Sequence, residues 1–222
     1  MKRLATGITL LFTLVLSLML APASAQEATP VDPLMQGEGL ELAVSRLWSI
    51  DYSMASPVAS SGLPELQLVS AMAMRYETPE LATRSFDQLT RDMAEETSTD
   101  ETLTDHEVVP LDGIGDQASA IGTTTVEPEG TWIARVSIAR EGQYLYIVMA
   151  VGADADRVAT ADDLLAGMVN DSDPGEGDGT FVEDGTSTGG PWDVLPTNDH
   201  PALAGMINYG DAVLFPEPAT EG

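Results

Sequence analysis

The chain has 222 residues, nine basic and 36 acidic side chains, a formal net charge of −27 at pH 7 and no cysteine. A polyanion repels nucleic acid and anionic membrane surfaces, so we expect neither as a partner. The lack of cysteine excludes a disulfide framework and a lipid-attachment cysteine. We therefore expect one domain of ordinary size, with tails, that packing alone stabilises.

The first 25 residues have the pattern of a secretory signal peptide. Lys2 and Arg3 precede an apolar run from Ile8 to Leu20, and Ala23-Ser24-Ala25 forms a small-residue cleavage site. The run is short for a membrane-spanning helix of about 20 residues. We expect a secreted or extracytoplasmic protein without stable membrane insertion after cleavage. The mature chain would keep seven arginines, no lysine and all 36 acids, a formal charge of −29.

Two strands are predicted in the first part of the mature chain. Residues 26–39 contain prolines and glycines without an apolar period and indicate a flexible leader. From Leu40 to Met54 the even positions are apolar except Arg46, which favours a strand. Helical spacing competes over residues 40–47, and the sequence leaves strand and helix open there. A Ser/Pro/Gly loop follows, and alternation from Leu66 to Tyr76 predicts the second strand.

A helix begins directly after the second strand. Thr78 is a favourable N-cap, Pro79 suits the first helical position, and Glu80 suits the positive helix end. Ala82, Phe86, Leu89 and Met93 then form one apolar face over residues 79–96. Short strands are predicted over 108–111 and 118–126, the second followed by a type I turn over 127–130.

The clearest pattern is a hairpin over residues 131–151. Its first half alternates apolar and polar residues from Trp132 to Ile138, and its second half, Tyr144 to Val151, is apolar throughout. The second half is therefore predicted as a central strand that is buried on both faces. Gly142 lies between the halves and allows the turn. A second helix is predicted to be capped at Thr160, with Ala161, Leu164, Leu165 and Met168 on its apolar face.

The C-terminal part divides into a linker and a less polar segment. Residues 171–190 are rich in glycine and acids and predict a linker. Residues 191–222 contain a predicted short helix from Pro201 to Tyr209, ended by Gly210. Because aromatic residues are scarce in disordered tails, we expect this segment to dock on the 40–170 domain with Trp192 and Phe215 partly buried. The alternative is that it serves as a docking peptide for another protein. The predicted fold is α+β, a mainly antiparallel sheet covered by two amphipathic helices.

Three motifs in this order carry a resemblance to a known group of proteins: the helix after Thr78-Pro79, Gly113-Ile114-Gly115-Asp116-Gln117-Ala118, and Ile138-Ala139-Arg140-Glu141-Gly142-Gln143 before an apolar strand. Over roughly residues 66–170 the chain resembles exported sensor-like domains of Gram-positive-type bacteria. That group includes the extracellular sensor domains of membrane serine/threonine kinases and related small lipoproteins. The resemblance implies an α+β domain that binds ligands or envelope partners and does not catalyse. The chain departs from the group in having no kinase, no lipidated cysteine and no disulfide.

Other motifs offer little chemistry. Residues Gly113 to Asp116 lack the third glycine and the Lys-Ser/Thr pair of nucleotide loops, so a tight turn is the better interpretation. His106 and His200 each stand beside an aspartate, but a metal or general-base role would require convergence of distant loops. Residues 171–182 resemble a calcium loop but have Glu176 at the sixth position and Val182 at the twelfth.

We therefore expect a non-catalytic binding or sensor-like module of the cell envelope, whose ligand the sequence does not identify. No catalytic or cofactor-binding residue is assigned, no cofactor is expected, and a metal site is left open, with weak binding of divalent cations compatible with the charge. One alternative is a structural acidic protein adapted to salt or divalent cations. The other is a hydrolase-type enzyme, which would need His106 or His200 in a cleft with carboxylates.

Overall fold

A computed structural model describes residues 38–50, 58, 62–99, 103–170 and 194–214. These residues form an α+β fold with one antiparallel sheet and two helices. The strands are β1 (Leu40–Ile50), β2 (Leu68–Tyr76), β3 (Leu103–Pro110), β4 (Gln117–Glu127), β5 (Gly130–Glu141), β6 (Tyr144–Gly152) and β7 (Met206–Leu214). The helices are α1 (Pro79–Thr99) and α2 (Ala155–Asn170), and a 3₁₀ turn covers Pro201–Leu203.

The strand order across the sheet is β3-β4-β5-β6-β2-β1-β7. The α+β class and the mainly antiparallel sheet are thus confirmed. The predicted hairpin forms the centre of the sheet as β5 and β6, and Gly142 takes a φ of +55° in its turn. β6 pairs with β5 on one side and β2 on the other, which accounts for its nearly continuous apolar sequence.

Alternation along the strands divides the core into two clusters, one on each face of the sheet. The α1 face joins Phe86, Leu89 and Met93 of the first helix to buried strand residues, among them Met72, Met74, Val136, Ile138, Leu145 and Met149. The α2 face joins Leu164, Leu165 and Met168 of the second helix to residues such as Val44, Trp48, Val69, Ala71, Tyr146 and Val148. Val194, Leu195, Ala202 and Leu203 from the C-terminal segment belong to the α2 face as well.

The two helix starts were predicted with different success. At α1 the Thr78 hydroxyl accepts a hydrogen bond from the Leu81 amide at 3.3 Å, so the predicted cap is confirmed. The predicted cap of α2 at Thr160 is wrong, because the helix already begins at Ala155. The Asp154 carboxylate accepts the Arg157 amide at 2.9 Å and so caps the helix six residues before the predicted position. Thr160 lies inside the helix and donates to the Arg157 carbonyl at 2.6 Å.

The structure also decides two ambiguous segments. Residues 40–47 form a strand and not a helix, because β1 has a hydrogen-bonding neighbour on each side, β2 and β7. The predicted helix from Pro201 to Tyr209 is wrong. After one 3₁₀ turn, Gly205 takes a φ of +83° and ends the helical conformation. The chain then becomes β7, whose pairing with β1 outweighs local helix propensity.

Several sequence predictions fall outside the described residues. These are the signal peptide 1–25, the leader up to residue 37, the end of the first predicted strand at 51–54, the linker with its calcium-like loop, and Trp192 and Phe215. In the part of the chain that the structure describes, neither helix is long and apolar enough to cross a membrane.

Candidate binding edge

Among the described residues the sheet ends at β3 on one side and at β7 on the other. An edge strand presents backbone N–H and C=O groups that can pair with another chain, and proteins block this with charges and proline. β3 has such protection, because Asp105, His106 and Glu107 are consecutive and exposed, and Pro110 ends the strand. This edge is therefore poorly suited to accept another strand.

β7 is built differently. Its exposed large side chains are apolar or aromatic, with Ile207 39% exposed and Tyr209 63% exposed. The charged residue of the strand, Asp211, is engaged by Arg46 of β1 through two hydrogen bonds of 2.5 and 2.7 Å. Within the described part of the chain, the β7 edge thus combines a backbone that pairs with no further strand with an apolar contact surface, the combination used for strand addition.

A β-bulge sets the direction of Tyr209. Trp48 pairs with Asn208 while the adjacent Leu47 pairs with Gly210, so Tyr209 is the extra residue of β7. Gly210 has a φ of +116°, in the left-handed region that favours glycine. The Asn208 side-chain oxygen accepts the Gly210 amide at 2.7 Å and stabilises this conformation. Bulges redirect side chains, and this one presents the phenol to solvent.

The β7 edge rests on a well-bound segment. The Arg46 guanidinium, besides pairing with Asp211, donates to the Pro196 carbonyl at 2.9 Å. The fully buried Trp48 indole donates to the Asn198 side chain at 2.8 Å. These contacts fix the C-terminal segment on β1 from both sides of the 3₁₀ turn, so the edge is a preformed surface.

Sequence analysis did not identify this edge, because it assigned Ile207 and Tyr209 to a helix. A signal was present. Ile207 and Tyr209 alternate with the polar Asn208, and Gly205 and Gly210 bracket the run. That pattern is typical of a short half-exposed strand next to a bulge.

A cleft at the start of β7 is too small for an organic ligand. Its volume is about 10 Å³, and its lining includes Glu65, Arg157 and Met206. Such a volume holds about one water molecule, whereas ligand pockets measure several hundred Å³. The Arg157 guanidinium here donates to the Ala202 carbonyl at 3.3 Å and holds the 3₁₀ turn on α2.

A partly buried ion pair joins α2 to the sheet. Arg135 of β5 donates two hydrogen bonds to the Asp162 carboxylate, at 2.9 and 2.7 Å, and the buried Ser137 hydroxyl donates a third at 2.5 Å. Gly122 lies beneath the guanidinium, where a Cβ would come 3.8 Å from Arg135 Nη1. Because three donors hold the carboxylate and two of them belong to a guanidinium, this cluster fixes α2 on the sheet.

The glycine-rich turn before β4 packs against the turn of the central hairpin. A Cβ on Gly115, whose φ is +58°, would lie 2.6 Å from the Arg140 carbonyl oxygen. The Asp116 carboxylate accepts the Gly142 amide at 3.0 Å and forms an ion pair with Arg140, with 2.9 Å between Oδ2 and Nη1. Two of the motifs that carry the family resemblance therefore contact each other, and Asp116 occupies the amide that an anion would otherwise bind.

The two histidines are not brought together. His106 is exposed on β3, at one edge of the sheet, and His200 precedes the 3₁₀ turn beside the other edge, where its Nδ1 accepts the Ala202 amide at 3.2 Å. Beside it, hydrogen bonds from the Thr197 hydroxyl and from a backbone amide lower the pKa of Asp199, and the charge of His200 contributes less. No group of three or more acidic or histidine side chains that could bind a metal occurs in the described ranges.

Comparisons with known proteins gave only distant likenesses, all of them among solved structures. No protein-family model and no curated protein matches the chain. Among solved structures, the chain is similar to the extracellular domain of PknH from Mycobacterium tuberculosis, with a TM-score of 0.40 and 16% sequence identity. The likeness covers 64% of this chain and 71% of that one. A similarity of this degree establishes neither a shared family nor a shared function.

Proposed function

We propose that this chain is an exported, non-catalytic binding module that adds an extended polypeptide segment to its sheet along the β7 edge. The export part of the proposal rests on the signal-peptide pattern of residues 1–25. The binding part rests on one observation, the difference between the two sheet edges. β3 carries charges and a proline, whereas β7 exposes Ile207 and Tyr209 on a firmly held strand.

The energetics of strand addition suit this edge. Backbone hydrogen bonds to the free side of β7 supply affinity, and alternate side chains of the incoming segment supply selectivity. Tyr209 offers a rigid aromatic surface at low entropic cost, which is why tyrosine is enriched at binding surfaces. Because Arg46 holds β7 and Trp48 holds the segment that precedes it, binding would require little rearrangement of the module.

The test uses the mature chain and three labelled peptides of nine residues, the length of β7. Each peptide alternates valine with lysine, threonine or glutamate, and fluorescence anisotropy measures binding. We expect at least one peptide to bind saturably in a 1:1 complex. A version of that peptide with N-methyl groups on its central residues should lose binding, because it keeps the charge and side chains but cannot donate backbone hydrogen bonds.

Matched variants locate the site. Tyr209→Ser on β7 should weaken the peptide by about fivefold or more, as expected for an aromatic contact residue. Val108→Ser removes a 44% exposed apolar residue from the opposite edge and should leave binding unchanged. The proposal is wrong if no peptide binds, if N-methylation has no effect, or if both variants weaken binding equally. Circular dichroism checks that both variants are folded.

A further inference from the structure

The charge distribution specifies which kind of segment the β7 edge accepts. The chain carries 36 acidic against nine basic side chains, a formal net charge of −27 at pH 7. Any polypeptide that approaches the domain therefore enters the field of a strongly negative molecule.

The basic side chains of the domain do little to offset this charge. In the described part of the chain, five arginines lie within 4 Å of a carboxylate: Arg46, Arg75, Arg84, Arg135 and Arg140. The mature sequence has only two further arginines against a total of 36 acids. Five of the seven arginines therefore have a carboxylate close by, and the net charge that a partner meets is strongly anionic.

The side chains of β7 fit a cationic partner. Tyr209 presents an exposed aromatic ring, which attracts guanidinium and ammonium groups through its negative π face. β7 itself contains no basic residue, and the guanidinium of Arg46 on the neighbouring β1 is neutralised by Asp211. The contact is therefore favourable for arginine or lysine side chains and neutral for small polar ones.

A second copy of the chain is a poor occupant. Pairing two β7 edges would bring together two molecules that each carry a formal charge of −27. Like charges at an interface are strongly unfavourable and disfavour association. The same repulsion disfavours acidic peptides.

Resting on the proposed function, we infer that the partner of the β7 edge is an extended cationic polypeptide segment, with arginine or lysine alternating with apolar residues. Electrostatic attraction should speed association, and strand pairing should fix the complex. Because dissolved salt screens long-range electrostatic attraction, the preference should decline as ionic strength rises.

The test compares the lysine, threonine and glutamate peptides at low and high salt. At about 20 mM NaCl we expect the lysine peptide to bind about tenfold or more tighter than the threonine peptide, and the glutamate peptide to bind weakest. At about 500 mM NaCl, where the screening length falls to a few ångströms, the preference should shrink to about threefold or less. Tyr209→Phe should keep the preference, and Tyr209→Leu should reduce it by roughly two- to fivefold.

The outcomes separate this inference from the proposed function. Equal binding of the three peptides, or tightest binding of the threonine or glutamate peptide, overturns the cationic preference and leaves strand addition intact. A failure of all three peptides overturns strand addition itself. Lysine-peptide binding that Tyr209→Ser and Val108→Ser affect equally would place the contact away from β7 and overturn both. Concentration-dependent dimers in sedimentation experiments, abolished by Tyr209→Ser, would assign the edge to a second copy instead.

Discussion

Two glycines of one turn provide a matched pair of substitutions. Gly113 and Gly115 both have positive φ, +79° and +58°, so alanine at either position must adopt a left-handed conformation that costs about 1–2 kcal/mol. Around Gly113 no atom lies within 4 Å of the new Cβ. At Gly115 the new Cβ would lie 2.6 Å from the Arg140 carbonyl oxygen and 3.3 Å from its carbon. The backbone shift that relieves such a clash typically lowers the free energy of unfolding by about 1–3 kcal/mol more.

The free energy of unfolding is therefore expected to fall by about 1–2 kcal/mol for Gly113→Ala and by about 2–5 kcal/mol for Gly115→Ala. For a chain of this size each kcal/mol lowers the melting temperature by about 2–4 °C, so the two variants should differ by roughly 2–12 °C. Urea unfolding followed by circular dichroism measures the same difference as a shift in midpoint at constant slope. If the two variants unfold at the same urea midpoint, the Gly115 backbone does not lie as close to the Arg140 carbonyl as a 2.6 Å Cβ–oxygen distance requires.

Four further predictions follow from individual contacts. Burial raises the pKa of Tyr76, and its hydrogen bond with Ser85 opposes this with a smaller effect. Unfolded tyrosine therefore ionises first as pH rises through 10.0, stability falls above that pH, and Tyr76→Phe should flatten this alkaline decline. The Ser119 hydroxyl is buried without a partner among the described residues, so Ser119→Ala should raise the free energy of unfolding by about 1 kcal/mol. Asn198→Ala removes the acceptor of the buried Trp48 indole and should lower that free energy by about 1–3 kcal/mol. Finally, screening of the acidic surface should raise the melting temperature with NaCl, and more steeply with calcium.

Each of these predictions has a direct check. The alkaline prediction fails if Tyr76→Phe and the parent chain lose stability in parallel above pH 10. A destabilised Ser119→Ala would show that the hydroxyl has a partner after all. For the indole contact, a double-mutant cycle of Asn198→Ala with Trp48→Phe should give a coupling of about 1 kcal/mol, and strict additivity would contradict it. A melting temperature that stays flat from low to molar salt would rule out the electrostatic prediction.

The features that could be predicted from the sequence are those that local residue patterns determine. The hairpin at Gly142 was found because a central strand needs apolar residues on both faces and its turn needs a residue free to take positive φ. The start of α1 was found because Thr78 and Pro79 act within one turn of the helix. Both features depend on neighbours in sequence, so one sequence is enough to indicate them.

Features that depend on distant residues were missed. Arg46 interrupts the apolar alternation of β1, and the reason, its pairing with Asp211, lies 165 residues away. The predicted helix from Pro201 to Tyr209 was wrong for the same reason. Its second half becomes a strand because it pairs with the open side of β1, which is distant in sequence. The candidate binding edge consists of such a strand, so no local pattern could establish it without the position of β1.

The place of β1 between β2 and β7 has a consequence for how the chain folds. Ala43, near the start of the described fold, lies directly opposite Leu214, at its end. During synthesis β1 can pair with β2 early, but its other side stays open until β7 has emerged, more than 150 residues later. Contacts this far apart in sequence close slowly, and the apolar strand around Trp48 is prone to mispairing in the meantime. A circularly permuted chain that joins the β7 end to the β1 start would convert this late closure into a local hairpin and shorten that vulnerable interval.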